Sequence, residues 1–124
     1  MTVIYGYNNE ETSVENLCEE VGPGWTPLIT QLVNDLISLG WNRVVLQVKE
    51  KFGGLRFYIG EGTKEIFHKI HYAENLSYTI CEKCGAQGKL REELRWLLTL
   101  CEDCLAGKLQ AMQEQRSWYT TDES

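Results

Sequence analysis

This chain of 124 residues is poor in the residue types that most often carry catalysis or break a chain, with two histidines, two prolines and two methionines. No apolar run approaches the ~18 residues of a membrane span, so no membrane partner is expected. The opening MTVIYGYNNEET has neither a basic n-region nor an apolar h-region, which argues against a secretory signal. Nothing resembles a Walker loop, a dinucleotide fingerprint or a Ser/His/Asp arrangement. Lys and Arg are missing from residues 1–42, which hold six acids: Glu10, Glu11, Glu15, Glu19, Glu20 and Asp35. The rest of the chain has twelve acids and twelve bases, so the net charge of −6 arises entirely in the first third. An acidic chain is a poor non-specific binder of nucleic acid, which requires phosphates to be neutralised. The acidic start reads as a solvated helix face; a basic partner surface or mimicry of a nucleic-acid backbone is the sharper alternative.

Against that background the five cysteines stand out. Cys81, Cys84, Cys101 and Cys104 form C-x2-C, sixteen residues, then C-x2-C, the spacing of a tetrahedral zinc site. Four thiolates complete zinc's shell and leave no open position for water, so one structural Zn2+ is expected and no chemistry at the metal. Two disulfides or four unrelated buried cysteines are the plainer readings. Zinc-type spacing with an odd fifth cysteine points to a reducing cytoplasm. Cys18, the fifth, lies among acids that would raise a thiol pKa, and reads as buried packing.

Patterning supplies the frame. Residues 12–20 read as a short helix capped by Thr12 or Ser13. GPGWTP breaks the chain, and Pro27, with Thr26 as cap, opens a helix over 27–39 on Leu28, Ile29, Leu32, Val33, Leu36 and Ile37. Residues 43–60 read as a hairpin turning at Gly53-Gly54, with Val44, Leu46, Val48, Leu55 and Phe57 on its core face. A helix is expected over 63–79 with Ile66, Ile70, Ala73 and Ser77 on one stripe. His68 and His71 lie three apart there without a third ligand, and read as packing and surface residues. Trp25 and Trp96 read as core anchors.

The cysteine segment reads as a knuckle at Cys81–Gly85, a hairpin over 89–100 and a helix carrying the second pair, Cys101 and Cys104, in its first turn. That order predicts a treble-clef zinc finger over a three-stranded ribbon, because LAGKLQAMQEQ is helical in composition. Treble-clef nucleases need histidines that Leu98, Thr99, Leu100 and the following helix do not supply.

The hairpin carries the second constellation. Arg43, Lys49, Lys51 and Arg56 fall within fourteen residues beside one acid, Glu50. If alternation holds, Gln47, Lys49, Lys51, Arg56 and Tyr58 share the outer face. Arg offers bidentate donors and Tyr a stacking surface, suiting a phosphate, a nucleotide or an acidic partner segment. Gly53 and Gly54 would allow a ligand close backbone approach. The plainer reading is a solvated face whose lysines blunt a sheet edge.

Residues 24–39, QVKEKFGGLRFYIG (47–60) and ICEKCGAQGKLR…WLLTLCEDC (80–104) together resemble a family of small bacteriophage and prophage proteins without an assigned activity. In that family a GW-containing helix precedes the QVKEKFGGLRFY segment, and a CExCG…W…TLC segment follows. The resemblance spans roughly residues 22–105. Members often end the zinc segment in cysteine and histidine, where this chain has Cys101 and Cys104. The resemblance implies a phage setting and leaves residues 1–21 particular to this chain.

The expected fold is α+β: N-terminal helices, a central antiparallel β-hairpin, a linking helix and a C-terminal treble-clef-like zinc module. Residues 1–80 form the α+β portion, 81–116 the module packed on it and 117–124 a loose tail. The expected function is that of a non-enzymatic phage protein acting by binding, which inhibits or sequesters a defence-related host protein or a nucleotide signal. A nucleic-acid-binding zinc module and a small nuclease or nucleotide hydrolase are the alternatives. The partner is then a host protein or a small phosphorylated ligand, and self-association is compatible with the composition.

Overall fold

The first twelve residues form structure that their acidity conceals. In the computed structural model, which describes residues 3–122 and side chains as far as residue 114, β1 (Ile4–Tyr5) pairs antiparallel with β2 (Glu11–Thr12). The turn between them uses Asn9 at φ +63, a conformation asparagine tolerates. Ile4 is fully buried, and Val14 and Cys18 join the same core. The acidic start therefore folds against the body.

The helix expected over 12–20 is shorter. Thr12 belongs to β2, and α1 spans Val14–Leu17 with Ser13 as N-cap, its hydroxyl accepting from the Asn16 N–H at 3.2 Å. Cys18–Glu20 tightens into a 3₁₀ turn. Glu19 and Glu20 fall where a longer helix would end, and negative charge there opposes the helix dipole.

A 3₁₀ turn over Pro23–Trp25 leads into α2 (Thr26–Ser38), which buries Ile29, Leu32, Val33 and Leu36. Thr26 is inside the helix, and no side chain caps its start. It ends in a Schellman turn: Gly40 at φ +90 donates to Ile37 O at 3.0 Å, and Trp41 donates to Leu36 O at 3.0 Å. Trp41 then packs on Phe57, ring centroids 6.1 Å apart.

β3 (Val45–Lys51) and β4 (Gly54–Ile59) form the central hairpin. Its inner face differs from the expected one. The register runs Val45↔Ile59 and then Gln47↔Tyr58, so Leu46 is an extra residue in a β-bulge. Val45 and Val48 are buried, while Leu46 is 46% exposed and Val44 only half-buried. One inserted residue shifts the alternation before it and leaves the alternation after it intact.

α3 (Lys64–Ser77) is capped by Thr63, whose hydroxyl accepts from the Ile66 N–H at 3.3 Å. Its expected stripe, Ile66, Ile70, Ala73 and Ser77, is buried. It also closes the edge of β4 with side chains: Ser77 Oγ accepts from Leu55 N–H (2.9 Å) and Glu74 Oε2 from Phe57 N–H (3.0 Å). The helix takes the place of a third strand, satisfying backbone groups that would otherwise template aggregation.

The C-terminal segment has its own hairpin, β5 (Lys89–Arg91) with β6 (Leu98–Leu100), and the helix α4 (Glu102–Asp122). Its small core is Cys81, Leu94, Leu98, Leu100 and Leu105. The tail expected over 117–124 lies outside the residues whose side chains are described; the helix is assigned as far as Asp122. Four helices and three two-stranded antiparallel sheets among the described residues make the fold α+β.

The segment docks on the body backbone to backbone. Gly24 N–H donates to Glu82 O at 2.8 Å, and a Cβ at Gly24 would lie 2.0 Å from Cys81 O. Beside it the buried Trp25 donates its Nε1–H to Ile80 O at 2.9 Å. On the far side, Thr99 Oγ1 donates to Gly53 O at 2.6 Å.

Candidate metal centre and binding face

Cys81 and Cys84 flank a knuckle closed by local hydrogen bonds. Cys81 N–H donates to Ala86 O (2.8 Å), and Gly85 N–H to Cys81 O (2.9 Å). Gly85 takes φ +84, the left-handed geometry expected of it. The second pair is set by β6 running into α4: Cys101 follows the last strand residue and Cys104 lies in the first turn of the helix. Cys104 N–H points at Cys101 Sγ at 3.4 Å.

The four sulfurs lie within 4.8 Å of one another, and Cys84 Sγ to Cys101 Sγ is 3.7 Å. Such a group can hold a metal ion. Cys81 is fully buried, Cys101 and Cys104 are half-buried and Cys84 is exposed. Burial alone would raise the Cys81 thiol, but backbone N–H groups of Cys101, Cys84 and Lys83 outweigh it and bring it down to about 6. Crowding by Cys101 pushes Cys104 up to about 12. A divalent cation at the centre would displace whatever protons its thiol ligands carry.

Glu82, inside the knuckle, is shared with the hairpin docked beside it. Its carboxylate accepts from Thr99 N–H at 3.2 Å, while burial pushes it up to about 7, helped by the charge of Glu50.

The hairpin face assembles as alternation predicts beyond the bulge. Gln47 pairs with Tyr58, Lys49 with Arg56 and Lys51 with Gly54, so Gln47, Lys49, Lys51, Arg56 and Tyr58 share one side. Glu50 pairs with the buried Leu55 on the other side, where its Oε2 accepts from Gly53 N–H at 2.6 Å. Lys49 Nζ lies 5.8 Å from the centre of the Tyr58 ring. Arg56 donates to Tyr78 Oη at 3.2 Å, a bond that raises its pKa further. Among the described residues, the one ion pair is Lys69–Asp35 at 3.6 Å, so Lys49, Lys51 and Arg56 have no carboxylate within ion-pair reach. Arg43, also counted among the bases, sits at φ +67 outside this face and reaches toward Val3 O at 3.4 Å.

Gly53 and Gly54 take another role than the one expected. A Cβ on Gly53 would meet Leu90 at 2.4 Å, and one on Gly54 would meet the Tyr78 ring at 2.3 Å. Both glycines admit other parts of this chain. Trp96 is no core anchor: it is 51% exposed in the β5–β6 loop with Lys108 Nζ 5.6 Å from its ring centre, and Leu94 and Leu98 fill the core instead. Cys18 is buried as expected, and burial raises its pKa. His68 and His71 are exposed on α3. Sequence reasoning passed over Phe52 and Thr99. Phe52 had a readable signal, a phenylalanine where a two-residue hairpin loop calls for asparagine or glycine.

Comparison of the chain with protein-family models, curated proteins and solved structures returns no match. No helix among the described residues is long and apolar enough to cross a membrane.

Proposed function

We propose that this is a zinc-stapled binding protein whose working surface is the outer face of the β3–β4 hairpin, and that it recognises an anionic group. The observation that carries this reading is the cross-strand pair Lys49↔Arg56. Like charges directly opposite on a sheet are destabilising, and here neither has a carboxylate within ion-pair reach among the described residues. A bound phosphate or carboxylate relieves that repulsion, with Arg56 as a bidentate donor and Lys51, Gln47 and Tyr58 alongside.

Zinc is the metal that a set of four thiolates favours. Zn–S bonds of ~2.3 Å imply tetrahedral sulfur separations of about 3.8 Å, close to the 3.7 Å between Cys84 and Cys101. Knuckle, hairpin and helix follow one another as in a treble clef. With Cys81, Cys84, Cys101 and Cys104 all bound, the ion has no free position for water or substrate, which supports a structural role and a protein that acts by occupancy. The phage setting rests on the resemblance of residues 22–105, and a target in host defence on the chain being small, acidic and without a recognisable catalytic arrangement.

Metal analysis of the purified protein is expected to give one zinc per chain; none would remove the staple. Calorimetric titration with inorganic pyrophosphate, alongside mass spectrometry of whatever co-purifies from bacterial cells, tests the face. Lys49→Glu combined with Arg56→Glu is expected to abolish pyrophosphate binding and loss of the co-purified ligand should accompany it, with the thermal midpoint essentially unchanged. Undiminished binding in that variant returns the face to ordinary solvated surface.

A further inference from the structure

Two large aromatic side chains stand exposed near the joint between the two hairpins: Phe52 is 66% exposed and Trp96 51%. Lys51 pairs with Gly54, so Phe52 and Gly53 form a two-residue loop, at φ +54 and +83. Both positive signs fit a type I′ turn, whose usual occupants are Asn-Gly. A bulky residue in the left-handed region is strained, and such strain persists only where surrounding structure enforces it.

The enforcement is visible. Gly53 N–H donates to Glu50, Gly53 O accepts from Thr99 Oγ1, and its Cα faces the Leu97–Leu98 peptide so closely that a Cβ would sit 3.3 Å away. Phe52 precedes Gly53 and Trp96 precedes Leu97, so both residues adjoin one joint between the two hairpins. Each lies beside a lysine: Lys51 Nζ is 5.6 Å from the Phe52 ring centre, and Lys108 Nζ 5.6 Å from that of Trp96. Tyr58, 38% exposed, repeats the arrangement with Lys49.

We propose that Phe52 and Trp96 are a stacking platform for the base of a nucleotide whose phosphates are held by Lys49, Lys51 and Arg56. This rests on the reading of the hairpin face as an anion site. Rings interleaved with cations suit a ligand that joins a π-face to negative charge, and stacking accepts any base. A base settling on either ring displaces its flexible lysine toward the phosphate. An aliphatic protein surface would instead bury those ammonium groups without a partner, at high cost. The same chemistry is offered by a free nucleoside phosphate and by a single-stranded oligonucleotide.

The test titrates the zinc-loaded protein with pyrophosphate, ATP, GTP and a fluorescein-labelled oligodeoxythymidine. Either nucleotide form is expected to bind at least about 10-fold tighter than pyrophosphate. Tighter ATP or GTP marks a free nucleotide as the ligand, and a tighter oligomer marks a strand. Trp96→Ala should cost roughly 5- to 20-fold in nucleotide affinity and leave pyrophosphate untouched. Phe52→Asn should cause a similar loss while raising the thermal midpoint by about 3–8 °C through relief of the turn. Pyrophosphate binding as tightly as the nucleotides, or Phe52→Asn retaining full nucleotide affinity, overturns the platform and leaves the anion face standing. Binding of no anion at all overturns the face itself. A protein ligand retained by the parent chain and lost in Trp96→Ala, with no nucleotide bound, also overturns the platform and assigns the two rings to a protein contact.

Discussion

Between Ile4 and Ala73 the chain closes around seventeen buried side chains, whereas from Cys81 onward the described residues supply five, one of them a cysteine of the metal site. The body uses elements long enough to bury a face: thirteen residues in α2, seven in β3, fourteen in α3. The module has two strands of three residues each, too short to exclude water unaided. Apolar burial holds the first region together, and cross-linking by a metal is what the second needs. The proposed recognition face adjoins the place where the two meet, because the β3–β4 turn is clamped by Thr99.

If the four cysteines hold zinc as proposed, removing it is the most severe way to break this contrast. Chelation, or Cys81→Ser with Cys84→Ser, should withdraw a contribution on the scale of ~10 kcal/mol from the module. Hydrogen exchange should then show residues 81–105 unprotected while α2, β4 and α3 keep their protection. Simultaneous loss in both regions would make them one cooperative unit and dissolve the contrast.

Next in size is a wedge at the seam. Gly24→Ala places a Cβ 2.0 Å from Cys81 O and 2.6 Å from Gly85 N, both backbone atoms that cannot turn aside. Urea titration should show a loss of about 3 kcal/mol or more, with weakened metal retention. A neutral result would mean that the seam is looser than its hydrogen bonds imply.

Two tryptophans sharpen the contrast further. Trp25 carries a hydrogen bond from the body to Ile80 O, while Trp41 Nε1 is buried without a partner among the described residues. Trp25→Phe should therefore cost about 1 kcal/mol more than Trp41→Phe, which sheds an unsatisfied donor.

The smallest expected effect is electrostatic. Glu82 is raised from 4.5 to about 7 in the folded chain, chiefly by burial. A raised carboxyl pKa contributes stability below pH 4.5 that is lost as the pH climbs through 7. Glu82→Gln keeps an acceptor for Thr99 N–H without the charge. At pH 8 it should gain about 1 kcal/mol, discounted for the half-buried side chain, and at pH 5 almost nothing. A gain that does not vary with pH would locate the effect elsewhere.

Much of this was legible in the residues themselves. The α3 stripe, the knuckle, the 89–100 hairpin and the placement of Cys104 follow from periodicity and spacing, which are local. The face of Gln47, Lys49, Lys51, Arg56 and Tyr58 also follows, because alternation after the bulge is undisturbed. The bulge itself was hidden: Val44, Val45 and Leu46 are three apolar residues in a row, and either phase of the alternation fits them. The clamped turn was hidden for another reason. Glycine announces a close approach without saying what approaches, and here Leu90, Leu97 and Tyr78 lie 37, 44 and 24 positions downstream of their glycines. Trp96 was misread because ring size argues for burial, while exposure is decided by the loop it occupies.

The main-chain contact at Gly24 has a mechanical consequence. A joint between side chains can yield by stages as rotamers slide past one another. At Gly24 one peptide rests directly on the peptides of Cys81 and Gly85, with nothing pliant between them. Pulled from its two ends, the chain should part there in one abrupt step. Such a joint is brittle, and it is either fully seated or fully open.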